Sequence, residues 1–232
     1  MINQLKKDLL NLKNPEKAKI FSRFFKTGKG DYGEGDVFLG ISVPEQRKIA
    51  KKYPDLTLKE IQELLSSKVH EHRLTSLFIL ISKYKKSETA GKKEIADFYL
   101  DNAKNVNNWD LVDLSAPNIL GDYLLEKDKP ILYILARSGN LWERRIAIMS
   151  TFEFIKNNKF EDALKISEML VYDKHDLIHK AVGWMLREIG KRDLSAEEKF
   201  LNKNYKKMPR VMLRYAIEKF DDGKKAYYLK RH

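Results

Sequence analysis

Five segments of the sequence align at spacings of 34 to 37 residues: HRLTSLFIL around Arg73, WDLVDLSAP around Asp110, RRIAIMSTF around Arg145, HKAVGWMLRE around Lys180 and LRYAIEKF around Arg214. From about residue 57 onward apolar residues recur at i, i+3, i+4 and i+7, and few runs alternate as strands do. A period of about 35 holding two helices constrains the fold strongly, because one helical pair cannot bury its apolar face alone and must stack on its neighbours. The expected fold class is all-α, an α-solenoid forming a single domain over residues 1–232. Solenoids curve, so a concave surface lined by one helix per repeat would bring Trp109, Asp113, Arg145, Trp184 and Arg187 to a shared groove.

Local signals agree with helices. Thr57 with Glu60 and Ser195 with Glu198 read as capping boxes at helix starts. Gly121, Gly139 and Gly190, with Pro54 and Pro209, read as stops. A 43% hydrophobic content is ample for a core. The absence of cysteine excludes disulfides, thiolate catalysis and sulfur-ligated zinc, and fits a reducing compartment. The longest apolar runs, such as SLFILI at 76 to 81, are too short to span a bilayer, and MINQLKKDLL lacks a signal-peptide core, so a soluble cytoplasmic protein is expected. A net charge of +12 is the footprint of a chain that meets a polyanion, although many lysines alternate with acids as solvated helix faces do.

Several motifs fail on context. Gly28, Gly30 and Gly33 have G-x-G-x-x-G spacing, but no apolar strand precedes them, so TGKGDYGEGD reads as a mobile loop before FLGISVPEQR. His70 with His72, and His175 with His179, lack the convergent carboxylates or HExxH pattern of a metal site. Trp142, among Leu141, Ile146 and Met149, reads as packing. Trp184 follows Gly183, which allows close backbone approach, and precedes Arg187 on nearly the same face, an arrangement that serves core packing or a site equally.

The stretch NNWDLVDLSAP is less easily dismissed. Trp109 and Asp113 lie four residues apart, about 400° of helical rotation, so they share one face. Burying Asp113 without a partner would be costly. Either it pairs with a neighbouring repeat, for instance with Arg145, or it is kept for chemistry.

WDLVD followed by P-x-x-L-GD, LWERRIAI and KAVGWMLRE together resemble the AlkD-type bacterial DNA glycosylases, HEAT-like helical repeat proteins that remove N3- and N7-alkylated purines. The resemblance extends over nearly the whole chain, including NPEKA and FLGISVPEQR. It implies HEAT-like repeats with a concave basic groove, Asp113 as the catalytic aspartate with Trp109 and Trp184 flanking it, and Arg145 and Arg187 on DNA with Arg47 at a further phosphate. It implies no metal or cofactor, a duplex partner carrying alkylated purines, action as a monomer, and excision without base flipping. The chain departs from the family pattern at Phe24, where the best-known members have a DNA-contacting tyrosine, at Val43 in place of a polar contact, and at Glu153 in place of a lysine; its GKGDYGEGD loop is longer than in the shortest members.

The chemistry suits these residue types. An N3- or N7-alkylated purine is cationic and leaves without a general acid, so a carboxylate in a partly desolvated site has only to stabilise the oxocarbenium-like sugar and position water. Indole faces add cation–π contacts worth roughly 0.5 to 2 kcal/mol each, and arginines hold phosphates bidentately, supplying position and not sequence. The competing expectation is a non-catalytic DNA-binding or protein-interaction scaffold in which Asp113 is structural.

Overall fold

The computed structural model describes residues 1–230. Among them the secondary structure is helical, with one isolated bridge between Val37 and Val69 and no strand. The chain divides into two compact units, Met1–Ser115 and Ala116–His232. Among the described residues no helix is long and apolar enough to cross a membrane.

The first unit holds α1 (Ile2–Leu10), α2 (Pro15–Phe24), α3 (Val43–Ala50), α4 (Leu58–Leu65), α5 (His70–Lys86), α6 (Thr89–Asp101) and α7 (Trp109–Ser115). α5 is its axis: Leu74, Leu77, Ile79, Leu80 and Tyr84 are buried, and α3, α4 and α7 all pack on it. A helix apolar on most of its circumference can only be central. The capping box read at Thr57 is present: Thr57 Oγ1 accepts from the Glu60 N–H at 3.2 Å and the Glu60 carboxylate accepts from the Thr57 N–H at 2.9 Å. A second box, Ser42 with Glu45, starts α3.

The second unit holds a π-helical turn (Pro117–Gly121) running into α8 (Asp122–Leu124), then α9 (Pro130–Ala136), α10 (Leu141–Lys156), α11 (Glu161–Leu170), α12 (Asp176–Gly190), α13 (Leu194–Asn204), α14 (Arg210–Ala216) and α15 (Asp222–Leu229). α12 packs on α10 and on α14, the neighbour-on-neighbour stacking that the repeat requires. Gly183 makes the second contact possible, since a Cβ there would lie 2.4 Å from the Met212 carbonyl oxygen. Each aligned residue falls within the first five positions of its helix: Arg73 in α5, Asp110 in α7, Arg145 in α10, Lys180 in α12 and Arg214 in α14.

Two boundary readings change. The cap of α13 is Asp193, whose carboxylate accepts from the Ala196 N–H at 3.0 Å, because the helix already begins at Leu194 and Ser195 lies inside its first turn; Glu198 pairs instead with Lys224 at 2.6 Å. Gly121 does not stop a helix. The chain continues helically through it, and the missing side chain admits α10, since a Cβ would meet the Ser150 carbonyl at 2.4 Å. Trp142 is packing, as read, at 7% exposure.

Candidate functional site

In the first unit α7 begins at Trp109, so Trp109 and Asp113 do lie one helical turn apart. Buried Asn108 starts the helix: its Oδ1 accepts from the Trp109 N–H at 2.8 Å and its carbonyl from the Val112 N–H at 3.1 Å. The half-buried indole of Trp109 stacks on Phe25, with centroids 5.3 Å apart and planes at 16°, and meets the edge of Phe24 at 5.8 Å. Asp113 is also half-buried. Burial pushes the Tyr99 hydroxyl well above its ordinary range, and the nearby charge of Asp113 adds to the rise, although a hydrogen bond with Ser115 at 2.9 Å opposes it. A braced indole plane and a half-buried carboxylate thus share one helical face.

The start of α7 is joined to a polar network that the sequence reading does not anticipate. His70 Nε2 is 2.8 Å from Asp110 Oδ2, and His70 Nδ1 is 3.3 Å from Asp36 Oδ2. Arg73 Nη2 pairs with the same Asp36 oxygen at 2.6 Å, and the Asn108 amide donates to it at 3.3 Å. Burial opposes the charge on His70, but the carboxylates of Asp110 and Asp36 outweigh burial and the Arg73 charge, so its pKa is raised. Burial would likewise raise Asp36, but the His70 and Arg73 contacts hold it below the usual carboxylate range. His70 is therefore an internal ion-pair partner; among the described residues no group of histidines and carboxylates could hold a metal ion. The glycine-rich segment ends at Asp36, which ties it to α7. The only signal in the sequence was an aspartate closing that loop and a histidine opening α5, and nothing in their spacing joins them.

Glu71, beside His70, points the other way. Its buried carboxylate accepts from the backbone N–H groups of Leu39, Gly40 and Ile41 at 2.8 to 3.2 Å, fixing the LGI segment that leads into α3. Gly40 adopts φ +83° there, and a Cβ would strike the Asn14 carbonyl at 2.2 Å. α3 carries Arg47, exposed, with its guanidinium 4.1 Å above the Phe78 ring. An apolar cavity of about 380 Å³ opens nearby, lined by Phe21, Phe24, Phe25, Phe38, His70 and Asp110 among others. Phe24 and Val43, two of the departures, are exposed at its edge.

The other site residues lie in the second unit. Arg145, on α10, is only 4% exposed and its guanidinium donates to the Leu177 carbonyl. Trp184, on α12, is half-buried; its Nε1–H donates to Glu188 at 3.3 Å and its ring lies 5.8 Å from Phe152. Arg187, one turn on, is ion-paired with Glu218, an exposed carboxylate held below its usual pKa by Lys219 first and by Arg187 as well. Glu153 is on α10 and pairs with Lys156.

A family model described as DNA alkylation repair enzyme matches residues 5–220. The chain belongs to the DNA alkylation repair enzyme family. Among solved structures, a predicted DNA alkylation repair enzyme from Enterococcus faecalis shares the fold with a TM-score of 0.70 at 17% identity, over 90% of this chain and 97% of that one. AlkD2 from Streptococcus mutans aligns with a TM-score of 0.57 at 22% identity, over 89% and 99% of the two chains. The protein smu.31 from Streptococcus mutans UA159 aligns at 0.53 and 23%, over 89% and 100%. At these identities the likeness is one of fold, that of the AlkD-type helical repeat proteins. No curated protein is similar enough in sequence to stand as a relative. Membership of the DNA alkylation repair family makes the charge of +12 intelligible as that of a protein that meets DNA.

Proposed function

We propose that this member of the family is a DNA glycosylase that hydrolyses the N-glycosidic bond of cationic N3- and N7-alkylated purines in duplex DNA, without extruding the base. The observation that carries the reading is α7, where the Asp113 carboxylate shares a face with an indole held flat by Phe24 and Phe25. The carboxylate stabilises positive charge developing on the deoxyribose and orients the attacking water, while Trp109 offers its face to the cationic sugar and base. No proton donor is required, because the alkylated base leaves neutral. From the second unit the proposal takes Trp184 as a further aromatic wall and Arg187 and Arg145 as phosphate contacts, with Arg47 contributing from the first. Arg187 would exchange Glu218 for a phosphate, and Arg145 would leave the Leu177 carbonyl. The chain is taken to act as one monomeric domain in the cytoplasm, in base excision repair.

That same pairing and burial favour a second reading, a non-catalytic DNA-binding or protein-interaction scaffold, in which both arginines serve the fold. Release of 7-methylguanine from methylated duplex DNA separates the two. Wild type is expected to release the base and Asp113→Asn to lose nearly all activity, with stability within about 1 kcal/mol of wild type, because a partly exposed carboxylate contributes charge more than packing. Unchanged excision by a folded Asp113→Asn protein removes Asp113 from the chemistry, and an inactive wild type leaves the scaffold.

A further inference from the structure

We propose that His70 is the positioning residue of α7: clamped between Asp36 and Asp110, it fixes the start of the helix that carries Trp109 and Asp113, and it loosens that start when its ring gives up a proton. For catalysis the inference rests on the glycosylase reading; for the conformation of Trp109 it does not.

Each ring nitrogen of His70 faces a carboxylate oxygen, Nε2 towards Asp110 and Nδ1 towards Asp36. A neutral imidazole carries one N–H and one lone pair, so it can satisfy only one of these carboxylates and sets its lone pair against the other. Only the imidazolium donates to both. Asp36 comes from the glycine-rich segment and Asp110 from α7; Arg73, on the same helix as His70, has Nη2 3.5 Å from Nδ1 and opposes the proton. Glu71 is turned away onto the backbone of Leu39 to Ile41. The ring is stacked on Phe38 at 4.5 Å and against Phe25 at 5.0 Å, which favours a cation between them.

Two routes lead from this ring to Trp109. Through hydrogen bonds, Asp36 also holds the Asn108 amide, and Asn108 caps the Trp109 N–H. Through packing, Phe25 has His70 on one contact and the Trp109 indole on another. Loss of the proton leaves Asp110 or Asp36 facing a lone pair in a buried place, and the start of α7 is what the two aspartates hold.

The test is a pH titration of the full chain by ¹⁵N–¹H NMR, following the His70 ring nitrogens and the Trp109 indole N–H, assigned against Trp109→Phe. The indole signal is expected to move with the same midpoint as His70, and Asp110→Asn to lower both midpoints together. An indole signal that stays fixed while His70 titrates, or a His70 that is neutral at about pH 6, overturns the clamp. The catalytic arm is single-turnover release of 7-methylguanine by His70→Gln, expected to slow about tenfold or more at unchanged duplex Kd, because small misplacements of reacting groups are costly in rate. A wild-type rate in folded His70→Gln overturns the positioning role. A wild type without excision, but with a Trp109 signal that follows His70, keeps the clamp and removes the glycosylase reading instead.

Discussion

Replacing Glu197 by Gln tests the energetics of the second unit. Glu197, on α13, is 1% exposed, its Oε1 has no hydrogen-bond partner among the described residues, and its other oxygen crowds Gly190, where a Cβ would lie 1.6 Å away. Burial, reinforced by the neighbouring Glu198 and opposed by Arg187, pushes its pKa from 4.5 up to about 8. The folded chain therefore binds this proton more tightly than the unfolded chain does. Its contribution to stability is full below about pH 4.5, declines as the pH rises, and is lost above about 8, where the fold must bury the charge. Moving a carboxyl from 4.5 to about 8 corresponds to ~5 kcal/mol in all, with about 4 of it falling between pH 5 and 9. Glutamine keeps the shape and stays neutral, but leaves an amide N–H short of a partner at a cost of ~1–3 kcal/mol. Glu197→Gln should thus be less stable than wild type at pH 5 by ~1 kcal/mol and more stable at pH 9 by ~2–3 kcal/mol. Urea unfolding followed by circular dichroism over that range measures both. Curves that keep the same separation at every pH would refute the assignment of a neutral, buried Glu197.

The remaining expectations concern packing, DNA and substrate. Gly183→Ala gains ~1 kcal/mol of helix propensity but must open the α12–α14 contact against the Met212 carbonyl, so the urea midpoint should fall by the equivalent of ~1–3 kcal/mol net; a midpoint equal to or above wild type would show that the helices separate freely. Arg47→Ala, at an exposed guanidinium, should lower the slope of log Kd against log salt for duplex DNA by roughly 0.9, with no dependence on sequence; an unaltered slope removes Arg47 from the phosphate contacts. Neutral lesions such as 1,N6-ethenoadenine should not be released, and efficient release would mean that some residue donates a proton to the leaving base.

The sequence by itself determined the helical repeat. Spacings of 34 to 37 residues and a 3.6-residue apolar period are local and repeated signals, and the aligned residues fall in the first turns of α5, α7, α10, α12 and α14. The face shared by Trp109 and Asp113 was legible for the same reason, since four residues along one helix need no knowledge of the rest of the chain. What only the tertiary structure decided is who meets whom across long separations. Asp36, His70 and Asp110 are brought together over 34 and 40 residues, and Glu71 reaches back 31 to the Gly40 N–H, pairings that no period encodes. Burial was decided there too. Arg145 read as a groove residue on DNA and Arg73 only as the anchor of a repeat, yet they are 4% and 3% exposed, Arg145 donating to the Leu177 carbonyl and Arg73 paired with Asp36. Gly121 looked like a stop and became a point of close approach, because helix ends follow local chemistry only until a neighbouring helix requires the space.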